Sequence, residues 1–268
     1  MNYKFEVDGG GLFSRLLQCA IVPLADLKFE KVYLTARPLP PVNIVDPHVR
    51  AGIDYVHKTA ELLREHGIVD PWDSIFNFIL IQDQKEVQDG GILPVGRFYN
   101  HGFKIEESYN FKNYKRVYNI LNVRPEIKEQ SQIVLKNHKN ILGVHVRLKD
   151  SNSVDDPKQF QDYVDAINYN LKNYNYSRIF VSSDNLLSIN KLERLYPGMI
   201  LSNNLARSDN EEADSFIWEY KNYFRRHYWV DAMIDCLTLS QCHTLICKNS
   251  NYANASIVFG DFKHIHRI

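Results

Sequence analysis

Residues 141–150 read ILGVHVRLKD: an apolar run, Ile141–Val146, that breaks abruptly into charge. Such a run, bounded by Lys139-Asn140 and by Arg147, predicts a strand buried on both faces, as in a parallel sheet. The alternation of Val144, Val146 and Leu148 with His145, Arg147 and Lys149 places the three cationic or titratable residues on one face. A cationic face at the carboxyl end of a strand is uncommon as core filling and points to a ligand.

The same sequence of events repeats downstream. Phe160–Tyr174 reads as a helix, and Arg178–Ser182 as a second strand ending in Ser183-Asp184-Asn185. Leu186–Tyr196 is a helix stopped by Pro197-Gly198, and Met199–Ser202 is a third, short strand. A long aromatic helix, about Tyr220–Cys242, leads to the strand Thr244–Cys247 and then to Asn249-Ser250-Asn251. Strands alternating with helices predict an α/β architecture with a mostly parallel sheet. Toward the N-terminus the pattern is thinner. Gly9-Gly10-Gly11 precedes a helix over Leu12–Leu27 and a strand-like run, Lys31–Thr35; a second helix is expected over Val49–His66. Residues 100–130 carry no clear period. The break before the apolar strand divides the chain into expected domains 1–136 and 137–268.

Composition sets the outer bounds. At 268 residues, 44% hydrophobic and 24% charged, the chain is an ordinary globular sequence, and a disordered one is excluded. Lys+Arg and Asp+Glu both number 32, so no global field attracts nucleic acid or an anionic membrane; any anion must be held by a local cluster. The aromatic stretch Trp218–Trp229 with Arg225-Arg226 reads as helix core with a basic edge rather than a base-stacking platform. The acidic stretch 209–214 reads as a solvated loop. No segment approaches the roughly 18 consecutive apolar residues of a membrane span. The start, MNYKFEVDGGG, shows no signal-peptide pattern, from which a cytoplasmic protein is expected. The four cysteines lack zinc-site spacing and read as small buried apolar residues.

In a parallel α/β sheet, ligands lie beyond the carboxyl ends of the strands. Three such ends carry polar clusters: His145-Val-Arg147-Leu-Lys149-Asp150, Ser182-Ser183-Asp184-Asn185 and Lys248-Asn249-Ser250-Asn251. Together they suit a nucleoside diphosphate, because Arg147 offers a rigid fork for phosphate oxygens and the helix start after Ser250 offers backbone N–H donors. Asp235, among Ile234, Leu237 and Leu239, sits where an idle carboxylate is costly. The glycines before Leu12 lack the Gly-Lys-Ser/Thr of a P-loop but permit close backbone approach to a ligand.

The order of these pieces resembles the fucosyltransferase superfamily of the α-1,6-fucosyltransferases and the rhizobial nodulation fucosyltransferase. The resemblance rests on Gly9-Gly-Gly-Leu12, on His145-Val-Arg147-Leu-Lys-Asp150, on Ser183-Asp184-Asn185, and on the block from Asp235 through Ser240 to Ser250. It covers about 141–258 well and little of the first half beyond the glycine segment. It implies a GT-B-like fold of two Rossmann-type halves facing across a cleft, with 1–136 on the acceptor side and 137–268 binding the donor. It further implies GDP-β-L-fucose as donor, a glycan hydroxyl as acceptor, inversion at the sugar, and no metal or other cofactor. By matching positions, Arg147 would bind the diphosphate, and His145 and Asp235 the guanine or its ribose. Ser183, Asp184, Asn249, Ser250 and Asn251 would lie around the nucleotide. Gly10 and Gly11 would close over the sugar phosphate. The base would be Asp155, with Asp156 and Asp150 as alternatives. The chain departs from the pattern at Leu148, where the family has a second arginine, at Asn185, where it has a second acid, and at Asp155, where it has glutamate. The same fold with another nucleotide sugar, or a non-catalytic nucleotide-sugar-binding module, are the rival readings.

Overall fold

The computed structural model describes residues 3–7, 32–36, 92–95, 105–107, 111, 112, 115, 123–147, 157–205, 207 and 228–268. The helices expected over 12–27 and 49–66, and residues 148–156 and 208–227, lie outside them. The chain forms two compact units, Met1–Asn100 with Glu107–Arg124, and His101–Glu106 with Pro125–Ile268.

In the first unit, β1 (Tyr3–Val7) is the centre of a three-stranded parallel sheet, flanked by β2 (Val32–Ala36) and β3 (Ile92–Val95). Phe5 stands opposite Leu34 on one side and Leu93 on the other. β3 contains Pro94 and, among the described residues, is an edge strand, the place in a sheet where a residue without an N–H is tolerated.

The second unit is built on five parallel strands. A helix, α1 (Pro125–Ile133), precedes β4 (Ile141–His145), which is followed by α2 (Pro157–Asn173), β5 (Arg178–Ser182), α3 (Leu186–Leu195) and the short β6 (Ile200–Leu201). Then come α4 (Tyr228–Ser240), β7 (Thr244–Cys247), α5 (Asn251–Phe259) and β8 (His264–Arg267). The strand order is β6-β5-β4-β7-β8. The chain starts in the middle, walks outward through β5 and β6, then returns across β4 to lay down β7 and β8. That reversal makes the gap between β4 and β7 a topological switch point, where doubly wound sheets open a crevice at the carboxyl ends.

Every residue of β4 and β7 is buried, as two-sided coverage requires. Leu142, Val144, Ile179, Val181 and Ile246 meet Tyr163 and Ile167 of α2 and Ile189 and Leu192 of α3 in one core cluster. The buried positions of α2 follow from its period: Tyr163, Val164, Ala166, Ile167 and Asn170 lie on one stripe. α4 carries Met233, Ile234, Cys236, Leu237 and Leu239 but also Asp235, Thr238 and Ser240, all buried, so it is covered all round. It approaches β4 at Gly143, where an added Cβ would lie 2.8 Å from Leu239 Cδ1 and 2.9 Å from Cys242 Cβ. Only a glycine leaves room for that contact.

The strands and helices expected for residues 141–201 are found, Arg178–Ser182 with the expected bounds and the others with shifts of up to three residues at their ends. The long aromatic helix is described only as Tyr228–Ser240, its expected first turns lying outside the described residues. Cys236, Cys242 and Cys247 are free and buried, and burial raises the Cys236 and Cys247 thiols to about 12. Among the described residues, no helix is long and apolar enough to cross a membrane.

Candidate nucleotide site

The register aligns the carboxyl ends. His145 pairs with Ser182 of β5 on one side and Cys247 of β7 on the other, and Cys247 pairs with Arg267 of β8. Ser182, His145, Cys247 and Arg267 therefore form one row across the sheet. The chain beyond this row carries Ser183-Asp184-Asn185, Val146-Arg147 and Lys248-Asn249-Ser250-Asn251. Seven of the residues expected around a nucleotide are thus gathered at one edge by strand pairing alone. Gly10, Gly11, Asp150, Asp155 and Asp156 lie outside the described residues.

Arg147 is held through its backbone. The Tyr163 hydroxyl accepts from Arg147 N at 2.9 Å and donates to Arg147 O at 3.3 Å, so a buried residue of α2 fixes both polar groups of the peptide. Burial pushes the Tyr163 phenol well above its ordinary pKa, and the hydroxyl keeps its proton. Among the described residues, the Arg147 guanidinium makes no hydrogen bond or ion pair. Lys248 adds a second cation nearby, its ammonium 5.7 Å from the centre of the Tyr163 ring and 2.7 Å from Gln159 Oε1.

His145 is 6% exposed, and among the described residues its Nδ1 has no hydrogen-bond partner. Burial first, and then the Arg147 charge, lower its pKa to about 3, so the ring is neutral at physiological pH. Its face stacks on Tyr252 of α5, with centroids 4.4 Å apart and planes inclined by 22°.

Two helix starts meet this edge. Ser250 caps α5, its hydroxyl accepting from Ala253 N at 3.1 Å. Asn185 caps α3, its Oδ1 accepting from Ser188 N at 3.0 Å, while Ser183 Oγ accepts from Asn185 N at 3.2 Å. Asn185, the position where the resembled family has a second acid, serves here as the N-cap of α3, a role that asparagine and aspartate fill about equally well. The N-terminal ends of both helices favour negative charge. Asp184 is half-buried, and its charge acts on Tyr163 and Arg207.

Asp235 lies below this edge on α4, 4% exposed. Its Oδ2 is 2.8 Å from Arg207 Nη1 and accepts from Ser182 Oγ at 3.2 Å, and its Oδ1 accepts from Asn203 Nδ2 at 2.8 Å. Both oxygens are engaged inside the protein. Burial alone would lower the Arg207 pKa, but the Asp235 carboxylate together with Tyr252 and Asp184 outweighs it, and the net direction is up. Arg207 also donates to the carbonyls of Ser183 and Asn203. At the far side Arg267 forms a two-pronged ion pair with Glu106, at 2.7 and 2.6 Å, and holds Asn249 Oδ1 at 3.1 Å and Asn254 Oδ1 at 2.8 Å.

Arg207, Tyr252, Tyr163 and Arg267 were not legible as site residues. Arg207 sits in a loop without periodicity, Tyr252 and Tyr163 look like helix core, and Arg267 belongs to a chain-terminal strand whose polar sequence gives little strand signal.

No known family profile matches the chain, and no curated protein matches it. Solved structures do. NodZ α-1,6-fucosyltransferase soaked with GDP-fucose superposes with a TM-score of 0.54 at 14% identity, over 96% of this chain and 92% of that one. The fucosyltransferase NodZ from Bradyrhizobium gives 0.54 at 15% identity, over 96% and 93%. The chain has the NodZ fold. NodZ co-crystallised with GDP aligns equally, at 0.54 and 13% identity over 96% and 92%. The α/β, GT-B-like class expected from the sequence is therefore the class of this chain. At such identities the likeness to NodZ concerns the fold, and chemistry must be argued from the residues.

Proposed function

We propose that the protein is a glycosyltransferase that takes L-fucose from GDP-β-L-fucose and passes it to a glycan hydroxyl with inversion and without a metal. The observation that carries this reading is the Arg147 guanidinium. It is a cation with no internal partner among the described residues, at the switch point of a NodZ-like fold, between the capped starts of α3 and α5. A fork of that kind, with helix N-termini beside it, fits a pyrophosphate. NodZ has been co-crystallised with GDP and soaked with GDP-fucose, which supports the choice of nucleotide.

In this mechanism the acceptor oxygen attacks the anomeric carbon as the bond to the β-phosphate oxygen breaks. The acceptor proton passes to a carboxylate, Asp155 or else Asp156 or Asp150, and GDP leaves with its growing charge met by Arg147 and the amides near Ser250. Asp155→Asn is expected to abolish transfer while GDP binding persists; retained turnover would move the base elsewhere.

The test is calorimetric titration with GDP, UDP and ADP, followed by NMR of the anomeric product from GDP-fucose and a glycan acceptor. Preferential GDP binding and a configuration-inverted product support the reading; no binding of any nucleoside diphosphate overturns it. Preference for UDP or ADP would select the same fold with another nucleotide sugar. That second reading draws on the internal engagement of Asp235, which leaves the carboxylate less available to a guanine.

A further inference from the structure

The polar chain beneath the site runs in one direction. Asp235, an ion-paired carboxylate, can only accept, so the Ser182 hydroxyl at 3.2 Å donates its single proton to Oδ2. Ser182 Oγ then has only lone pairs to offer Tyr252 Oη at 2.7 Å, and the tyrosine must donate. Burial, followed by the Asp235 charge, raises the Tyr252 pKa well above its ordinary value, which keeps that proton in place. The order is Tyr252 to Ser182 to Asp235, closed by the Arg207 guanidinium at 2.8 Å. The last ring in the chain is the one that stacks on His145.

We propose that Arg207 is a positioning residue for the nucleotide site: by anchoring Asp235 it orients Ser182 and Tyr252, and Tyr252 fixes the His145 ring at the edge of that site. Asp235 then serves the site from below, as the hub of this chain, rather than by touching the base. The inference rests on the nucleotide-binding reading given above. Arg207 comes from the loop after β6, Asp235 from α4, Ser182 from β5 and Tyr252 from α5, so the chain links four elements behind one imidazole. Asn203 and Thr238 brace it, Asn203 Nδ2 reaching Thr238 Oγ1 at 2.9 Å, and Thr238 reaching Ser131 O of α1 at 2.9 Å.

The experiment uses the full chain with GDP as probe and compares wild type, Tyr252→Phe, Arg207→Gln and the double variant. Tyr252→Phe removes the hydroxyl, and with it the bond to Ser182, and leaves the Arg207–Asp235 ion pair and the aromatic ring. Each single change is expected to weaken GDP binding by about tenfold, and the double variant by about the same factor, because both cut one chain. Since Arg207→Gln leaves a buried carboxylate unpaired and risks misfolding, Arg207→Gln with Asp235→Asn supplies a charge-free pair, expected to fold and to keep the tenfold loss. Wild-type GDP affinity in both Tyr252→Phe and the charge-free pair, or factors that multiply in the double variant, would overturn the proposal. A readout independent of ligand comes from the ring nitrogens of His145 in the free protein. Their NMR shifts should move in Tyr252→Phe, and unchanged shifts count against it. Failure of the wild type to bind GDP, with those shifts moving, would sink the nucleotide reading and leave the positioning intact.

Discussion

Arg147→Ala separates stability from function in a way few substitutions in this protein do. The side chain is half-buried, but among the described residues its guanidinium has no hydrogen bond or ion pair to lose. What fixes the residue is its backbone, held by Tyr163, and alanine keeps both of those bonds. The fold should therefore lose no more than about 1 kcal/mol, the range of an ordinary surface change with some aliphatic packing removed. The removed cation also depresses the His145 pKa, but that ring is neutral at physiological pH, so its loss relieves no repulsion there. Catalysis should behave differently. A positioned donor to negative charge developing in a closed site contributes about 3–4 kcal/mol, or roughly two to three orders of magnitude in turnover. The assay is thermal unfolding alongside single-turnover release of GDP from GDP-fucose with a glycan acceptor. Arg147→Lys is the control: it retains the charge and loses the fork, so it should recover only part of the rate. Near-normal turnover in Arg147→Ala would remove the residue from the mechanism. A collapse in stability would show that the guanidinium has a structural partner.

Two further outcomes follow from the geometry and a third from the proposed mechanism. Gly143→Ala should lower stability by about 1–3 kcal/mol, because the new methyl meets Leu239 and the Cβ of Cys242, which moves only with its backbone; an unchanged denaturant midpoint would refute the close approach of α4. The buried His145 holds its proton only below about pH 3, whereas an unfolded histidine binds one below about 6.5, so the unfolded state takes up more protons in between. Stability conferred by the neutral ring is thus complete above pH 6.5 and falls by up to about 1.4 kcal/mol per pH unit as the solution is acidified toward 3; His145→Gln should flatten that slope, and an identical profile would place the titration elsewhere. Asp155→Asn, tested by transfer and by GDP titration, should separate chemistry from binding.

The comparison of sequence with structure divides along physical lines. The strands Ile141–His145, Arg178–Ser182 and Thr244–Cys247 were legible because a strand covered on both faces must be apolar throughout, and turn residues bound each one. Those same strands end in polar residues, so the edge bearing His145, Arg147, Asp184 and Ser250 was legible as well. β8, with the sequence His-Ile-His-Arg, gives no such signal: it is an edge strand and becomes one only by pairing with Thr244–Cys247. α1 was missed for a related reason, since its weakly amphipathic sequence gains its place from Ser131 meeting Thr238 and Gln241 of the α4 end.

By itself the sequence determined the α/β alternation, the core and the carboxyl-end clusters, because burial and backbone period leave local marks. Which partner each polar group takes was decided only by tertiary structure. Asp235 was recognisable as a carboxylate too buried to be idle, yet nothing near it in the chain announces Arg207, 28 positions away on an aperiodic loop, as the charge that answers it. Asn185 reads as a lost acid in sequence and as a helix cap in space. Pairings between distant residues arise from how strands and helices stack. A buried charge requires a partner, but the fold alone chooses which one.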